Sequence, residues 1–305
     1  MPWEFELDRK ITEHLPQLRY AADEPMSRHT SFRIGGPAKR MAFPETAEQV
    51  TELIALARQC GTEPLVLGNG TNLLAADKGL DRLVINMSEG MTGIGDGADG
   101  DIIAQCGATL ARVAEFARRR GLAGFEFAHG IPGTLGGAVC MNAGAYGGEM
   151  KSVVSHVALI DSDGAMRTLT NEEMAFSYRH SVLTDHPDWT VLYAVIHLEP
   201  GDSEEIGARM KELMAKRKAS QPLEFPSAGS TFKRPTGHFA GALIEQCGLK
   251  GARIGGAEVS VKHAGFVINR GGATCADVLA LIAHIQKTVY DATGVTLEPE
   301  VKIVR

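Results

Sequence analysis

The sequence predicts an α+β fold in two or three parts, on three observations. Strand-like and helix-like stretches are mixed without regular βαβ alternation. No segment repeats, and 305 residues are enough for more than one core. Hydrophobic residues make up 44% and charged residues 22%, ordinary for a globular chain and too apolar for a disordered one.

The first twenty residues pattern as a short helix, with Phe5, Ile11, Leu15 and Leu18 as apolar contacts. Gly35, Gly36 and Pro37 make a turn before a strand at 41–43. Thr46, with Gln49 three residues on, opens a helix in capping-box fashion. Val50, Leu53, Ile54 and Ala57 share its inner face, and Gly61 ends it. LVLGNGTNLL, residues 65–74, reads as strand, glycine loop and return. Strands follow at 83–86 and 101–106, joined by a polar, glycine-rich turn from Gly93 to Asp101. A helix over 110–120 is capped by Thr109 and stopped by Gly121. After the glycine-dense stretch 124–149, strands at 153–161 and 191–198 flank the polar segment NEEMAFSYRHS. A charged helix over 204–218 leads into the last part. There a helix at 239–246 and strands at 257–260 and 265–268 precede a long helix capped by Thr274, with Val278, Leu281, Ile282 and Ile285 as its buried stripe. VTLEPEVKIV closes the chain as a strand. The expected division is 1–80, 81–205 and 206–305.

Net charge is −6 with no block of lysine or arginine, which excludes nucleic-acid binding as a main activity. A few local cations can still hold a small anion. The five cysteines are widely spaced with no C-x-x-C pair, so free thiols in a reducing compartment are expected, neither a disulfide framework nor a zinc site. The acidic start MPWEFELDRK does not read as a signal peptide, and no run approaches the ~18 apolar residues of a membrane span. A cytoplasmic monomer is the expectation, with no membrane, nucleic acid or metal as partner; His129 and His263 show no metal-ligand spacing.

Two glycine loops carry the functional signal. Gly68, Asn69, Gly70, Thr71 and Asn72 follow an apolar strand directly, and small residues let main-chain N–H groups converge on an anion. Taken alone, that loop is equally a tight hairpin turn. Gly130 to Gly148 holds seven glycines interspersed with Ile131, Leu135, Val139 and Met141, which a flexible linker would lack. An apolar, ordered, glycine-rich wall suits close packing against a flat cofactor.

In order along the chain, HTSFRIGGPA, PLVLGNGTNLL, GIPGTLGGAVCMNAGAYGGE, SYRHS, AGSTFKRP with GHFAGALIE, and LEPEV resemble the UDP-N-acetylenolpyruvoylglucosamine reductase (MurB) family across nearly the whole length. The resemblance implies the two-subdomain FAD-binding fold of the vanillyl-alcohol oxidase type over 1–80 and 81–205, then a smaller α+β substrate-binding domain over 206–305. It implies the short family type, since the path from Ser181 to Trp189 leaves no room for the tyrosine-bearing insertion of the longer type. FAD would be non-covalent, because GNGTN has no tether histidine, and NADPH would be the reductant. By match to the family's loops the FAD contacts are Gly68, Asn69, Gly70, Thr71, Asn72, Gly130, Ile131, Pro132, Gly133, Gly136, Gly137, Asn142, Gly144 and Ala145.

The family reaction adds hydride to the terminal carbon of an enolpyruvyl ether and a proton to the carbon beside the carboxylate. Negative charge therefore develops next to an existing anion, which calls for cations and hydrogen-bond donors there. By the same match Ser230 is the proton donor. Arg179 is the guanidinium that binds the carboxylate and the developing enolate, and Glu300 is the acid that must be protonated to donate a hydrogen bond. Glu298 is the solvent-facing neighbour. Tyr178 is a substrate or flavin contact or a packed core residue, and Lys233, Arg234 and Lys262 are candidates for the substrate diphosphate or the NADPH phosphates. The alternatives are another FAD-dependent oxidase or dehydrogenase of the same fold, and a non-catalytic flavin- or nucleotide-binding protein.

Overall fold

Strand pairing between distant parts of the sequence organises the chain in the computed structural model, which describes residues 2–305. Two compact units result. The first holds the residues up to Ala21, Arg40–Asn69 and Arg82–Lys216; the second holds Ala22–Lys39, Gly70–Asp81 and Arg217–Arg305. These boundaries differ from the expected cuts after 80 and 205, and position 205 lies inside the helix Ser203–Ser220. The physical reason is a non-local ladder. Leu73–Ala75 pairs in parallel with Lys302–Val304, which ties an early segment to the C-terminal part.

In the first unit, helix Trp3–His14 buries Leu7 and Ile11, one turn apart on one face. Phe5 is exposed; two residues from Leu7, it points to the opposite side of the helix. Helix Ala47–Gln59 buries Val50, Leu53, Ile54 and Ala57 as the periodicity predicts. The Thr46 hydroxyl accepts the Gln49 N–H at 3.2 Å, but the Gln49 carboxamide accepts from Glu45, one residue before the cap. Helix Leu110–Arg119 is capped by Thr109 and buries Leu110, Val113, Ala114 and Ala117.

A five-stranded antiparallel sheet runs in the order Met166–Thr170, Val154–Ile160, Thr190–Ile196, Ile102–Gln105, Ile94–Asp96. Its two edge strands were not predicted. Met166–Thr170 buries no residue and Ile94–Asp96 is three residues long, so neither shows a hydrophobic period. A second sheet orders Arg19–Pro25, Pro37–Phe43, Leu80–Asn86 and Leu65–Leu67. Leu65–Leu67 pairs in parallel with Leu80–Asn86, while Leu73–Ala75 pairs with the C-terminal strand. The strands flanking the first glycine loop are thus not partners, and the hairpin reading is excluded.

In the second unit, helix Cys275–Thr293 buries Val278, Leu281, Ile282, Ile285 and Val289 beneath the sheet Arg253–Ile254, Ala257–Val259, Val267–Asn269. Two carboxylates serve its N-terminus, where a helix dipole favours negative charge. Asp77 accepts from the N–H groups of Cys275 and Ala276 at 2.7 and 3.1 Å. Asp277 accepts from Thr274 at 3.0 Å and Gly256 at 3.2 Å, and those N–H groups hold its carboxyl below the usual carboxylate range. A folded-state pKa below the unfolded value of about 3.9 means stabilisation that is present above that pH. It is lost as pH falls through the folded value. Asp277→Asn, which keeps an acceptor oxygen but loses the charge, is therefore expected to lower Tm modestly at neutral pH and to flatten the fall of Tm with acid. Melting curves from pH 7 downward check both.

All five cysteines are free, and burial pushes the Cys106 thiol up to about 12. No helix among the described residues is long and apolar enough to cross a membrane.

Candidate active site

The two glycine loops meet inside the first unit. A Cβ on Gly68 would sit 2.1 Å from the Thr134 hydroxyl, so only glycine permits this approach. The Asn69 carboxamide adds a stitch, donating to Pro132 O at 3.1 Å. The second loop is itself pinned, with Leu135 and Gly136 N–H donating to Ala108 and Cys106 carbonyls at 2.8 Å. From there a short helix, Leu135–Cys140, leads on. This helix was not predicted, because Gly136 and Gly137 have poor helix propensity. Gly144–Ala145 and Gly148–Glu149 pair as a hairpin whose turn places Tyr146 and Gly147 at φ +53° and +89°.

Among the described residues, none of the N–H groups of Gly68, Asn69, Gly133 and Thr134 donates to a main-chain carbonyl. The same holds for Gly70, Thr71 and Asn72, which belong to the second unit. Orphan amides on close-packed glycine segments are what a diphosphate needs. The residues present therefore fit a diphosphate such as that of FAD, and Gly68, Asn69, Gly133 and Thr134 are the groups of the first unit that could hold it. Thr134 was not predicted; a threonine within a glycine run carries no signal of its own.

Arg179 lies in the first unit on a tight turn. Ser177 and His180 exchange N–H···O bonds of 3.0 and 3.2 Å, leaving Tyr178 and Arg179 at the centre. Arg179 has φ +55°, a left-handed conformation uncommon for non-glycine residues and concentrated at functional sites. Its Cζ lies 5.3 Å from the Tyr178 ring centroid. Tyr178 is 56% exposed, which excludes the packed-core reading.

Ser230 and Glu300 lie on neighbouring segments of the second unit, linked through the main chain of Thr231, the residue after Ser230. Thr231 is buried; its N–H donates to Gly265 O, its hydroxyl accepts from Val267 N–H, and its carbonyl accepts from Glu300 N–H at 2.8 Å. Phe232 and Pro299 bridge alongside. Ser230 is exposed and Glu300 half-buried. Glu298 faces solvent as expected and accepts from Lys233, so that lysine is already paired. Lys262 donates to Lys218 O at 2.7 Å and lies 3.8 Å from Glu224. Arg234 sits over the exposed Phe239 ring at 4.2 Å. Sequence reasoning missed Thr231, since a lone threonine in an irregular segment is unremarkable until its three bonds are seen.

Residues 38–170 match the family described as FAD binding domain, and residues 221–304 match UDP-N-acetylenolpyruvoylglucosamine reductase, C-terminal domain. The chain is 52% identical over 295 residues to the UDP-N-acetylenolpyruvoylglucosamine reductase of Caldanaerobacter subterraneus subsp. tengcongensis, covering 97% of each. It is 48% identical over 307 residues to that of Agathobacter rectalis, again covering 97% of each. The chain belongs to the UDP-N-acetylenolpyruvoylglucosamine reductase family. The family's solved structure from Thermus caldophilus superposes with a TM-score of 0.80 at 35% identity, covering 95% of this chain and 99% of that one. Cholesterol oxidase from Brevibacterium sterolicum shares the fold alone, at TM-score 0.50 and 12% identity over 61% of this chain and 38% of that one. The family's cofactor is FAD, and the FAD-binding match covers the loops just described.

Proposed function

We propose that this chain reduces the enolpyruvyl group of UDP-N-acetylglucosamine enolpyruvate to the lactyl ether, giving UDP-N-acetylmuramate at the expense of NADPH. The observation that carries the reading is the main-chain bond from Glu300 N–H to the carbonyl of Thr231, the neighbour of Ser230, in a chain of this family.

Bound FAD would supply the hydride taken up by the terminal vinyl carbon, with NADPH as its source. The chain's residues manage the charge and the proton. The Arg179 guanidinium pairs with the substrate carboxylate and stabilises the enolate that grows as hydride arrives. The Ser230 hydroxyl gives its proton to the carbon beside the carboxylate, and Glu300, protonated, donates a hydrogen bond to the enolate. A serine is a weak acid, so its proton moves only onto a strongly basic centre. The left-handed turn under Arg179 and the bonds of Thr231 keep these groups from searching other conformations, which lowers the entropic part of the barrier. Among the cations, Arg234 and Lys262 are our candidates for the substrate diphosphate, with Lys262 giving up Lys218 O. Free thiols and nucleotide substrates suit a cytoplasmic location.

The purified protein should be yellow, and NADPH oxidation should depend on UDP-N-acetylglucosamine enolpyruvate. A yellow protein that ignores this compound and oxidises an alcohol or hydroxy acid would instead be a sister oxidoreductase on the same fold.

A further inference from the structure

Each glycine loop contains an asparagine placed above among the FAD contacts, and in both cases the carboxamide is directed at protein main chain. Asn142 is 1% exposed and held at φ +43°. Its Nδ2 donates to Ser177 O and to Glu149 Oε2, both at 3.0 Å, and its Oδ1 accepts the Lys151 N–H at 2.9 Å. Both amide protons are consumed, so none is left to donate to a cofactor. Ser177 is the first residue of the turn that carries Arg179, and its carbonyl accepts at once from His180 N–H and from Asn142. A second stitch, Ser181 Oγ to Cys140 O at 2.7 Å, holds the exit of that turn to the same loop. In the second unit, Asn72 Nδ2 donates to Glu300 O at 3.1 Å while Asn72 O accepts Lys302 N–H at 2.9 Å. Asn72 thus grips the main chain on both sides of Val301.

We infer that Asn72 and Asn142 are positioning residues: they fasten the main chain under Glu300 and under Arg179 to the cofactor loops. The inference rests on the assignment of Arg179 and Glu300 proposed above. Its physical basis is that a bidentate amide on a short loop fixes a backbone, and a misplacement of about 1 Å at a reacting group costs on the order of 10²-fold in rate.

The test separates the two half-reactions of the holoenzyme by stopped flow. Asn142→Gly keeps the positive φ and deletes the amide; Asn72→Ala deletes the amide in the other unit. Each is expected to retain FAD and to keep flavin reduction by NADPH within a few-fold. Reoxidation by UDP-N-acetylglucosamine enolpyruvate should slow by about 10²-fold, in the limiting rate more than in the substrate concentration for half-saturation. In an Arg179→Ala background, Asn142→Gly should add almost nothing, as expected of residues acting through one group. If Asn142→Gly does not fold, Asn142→Asp, which keeps the acceptor for Lys151 N–H, carries the same expectation. Loss of FAD, or equal slowing of both half-reactions, would make these asparagines part of the cofactor cradle alone and overturn the inference. So would full additivity with Arg179→Ala. If Arg179→Ala itself leaves reoxidation unchanged, the assignment of Arg179 fails instead.

Discussion

Ser230→Ala is expected to give a yellow protein that NADPH reduces at close to the normal rate and that the enolpyruvyl substrate reoxidises ~10²–10⁴-fold more slowly, the usual contribution of a positioned general acid. The change deletes one exposed hydroxyl and touches none of the bonds that hold this segment, which Thr231 makes. Fold and cofactor should survive, so the loss falls on proton delivery. Ser230→Cys should restore part of the rate with a shifted pH profile, because a thiol of the right reach still carries a proton. Stopped-flow absorbance of the two half-reactions measures both variants. A Ser230→Ala enzyme that reoxidises normally would remove Ser230 from the reaction.

Gly68→Ala is expected to empty the protein of FAD. The new methyl would lie 2.1 Å from the Thr134 hydroxyl and 3.2 and 3.3 Å from its Cβ and Cγ2. Thr134 is 2% exposed and stiff at χ1, so it has nowhere to turn and the two loops must separate. Overpacking of this kind costs about 1–3 kcal/mol, and the orphan amides at Gly68 and Thr134 lose their mutual placement. The double variant Gly68→Ala/Thr134→Ala should recover part of both FAD occupancy and Tm. Gly95→Ala is the control, since a Cβ there meets nothing within 4 Å. Flavin absorbance per protein and a melting curve check all three.

Periodicity and caps made most elements legible. The buried stripe Val278, Leu281, Ile282 and Ile285 and the Thr274 cap stand where the sequence placed them, because both are local signals. The unit boundaries were not legible. The pairing of Leu73–Ala75 with Lys302–Val304 joins residues more than two hundred positions apart, and no local pattern encodes a parallel partner. Edge strands without a buried face stayed hidden for a related reason. For the proposed site, short motifs pointed to Arg179, Ser230 and Glu300, yet said nothing of what steadies their main chain. Thr231, Asn72 and Asn142 act through main-chain bonds, and the same residue types occur in ordinary strands and turns. Asn142 shows the ambiguity well: asparagine in a glycine loop reads as a ligand until both of its amide protons are traced to Glu149 and Ser177.

The most direct test of the central claim is proton NMR of UDP-N-acetylglucosamine enolpyruvate incubated with holoenzyme and NADPH. The account predicts that the vinyl signals disappear and a lactyl methyl doublet grows in proportion to the NADPH consumed. Vinyl signals that persist while NADPH is oxidised, or while a fully flavinated enzyme leaves NADPH untouched, would contradict it.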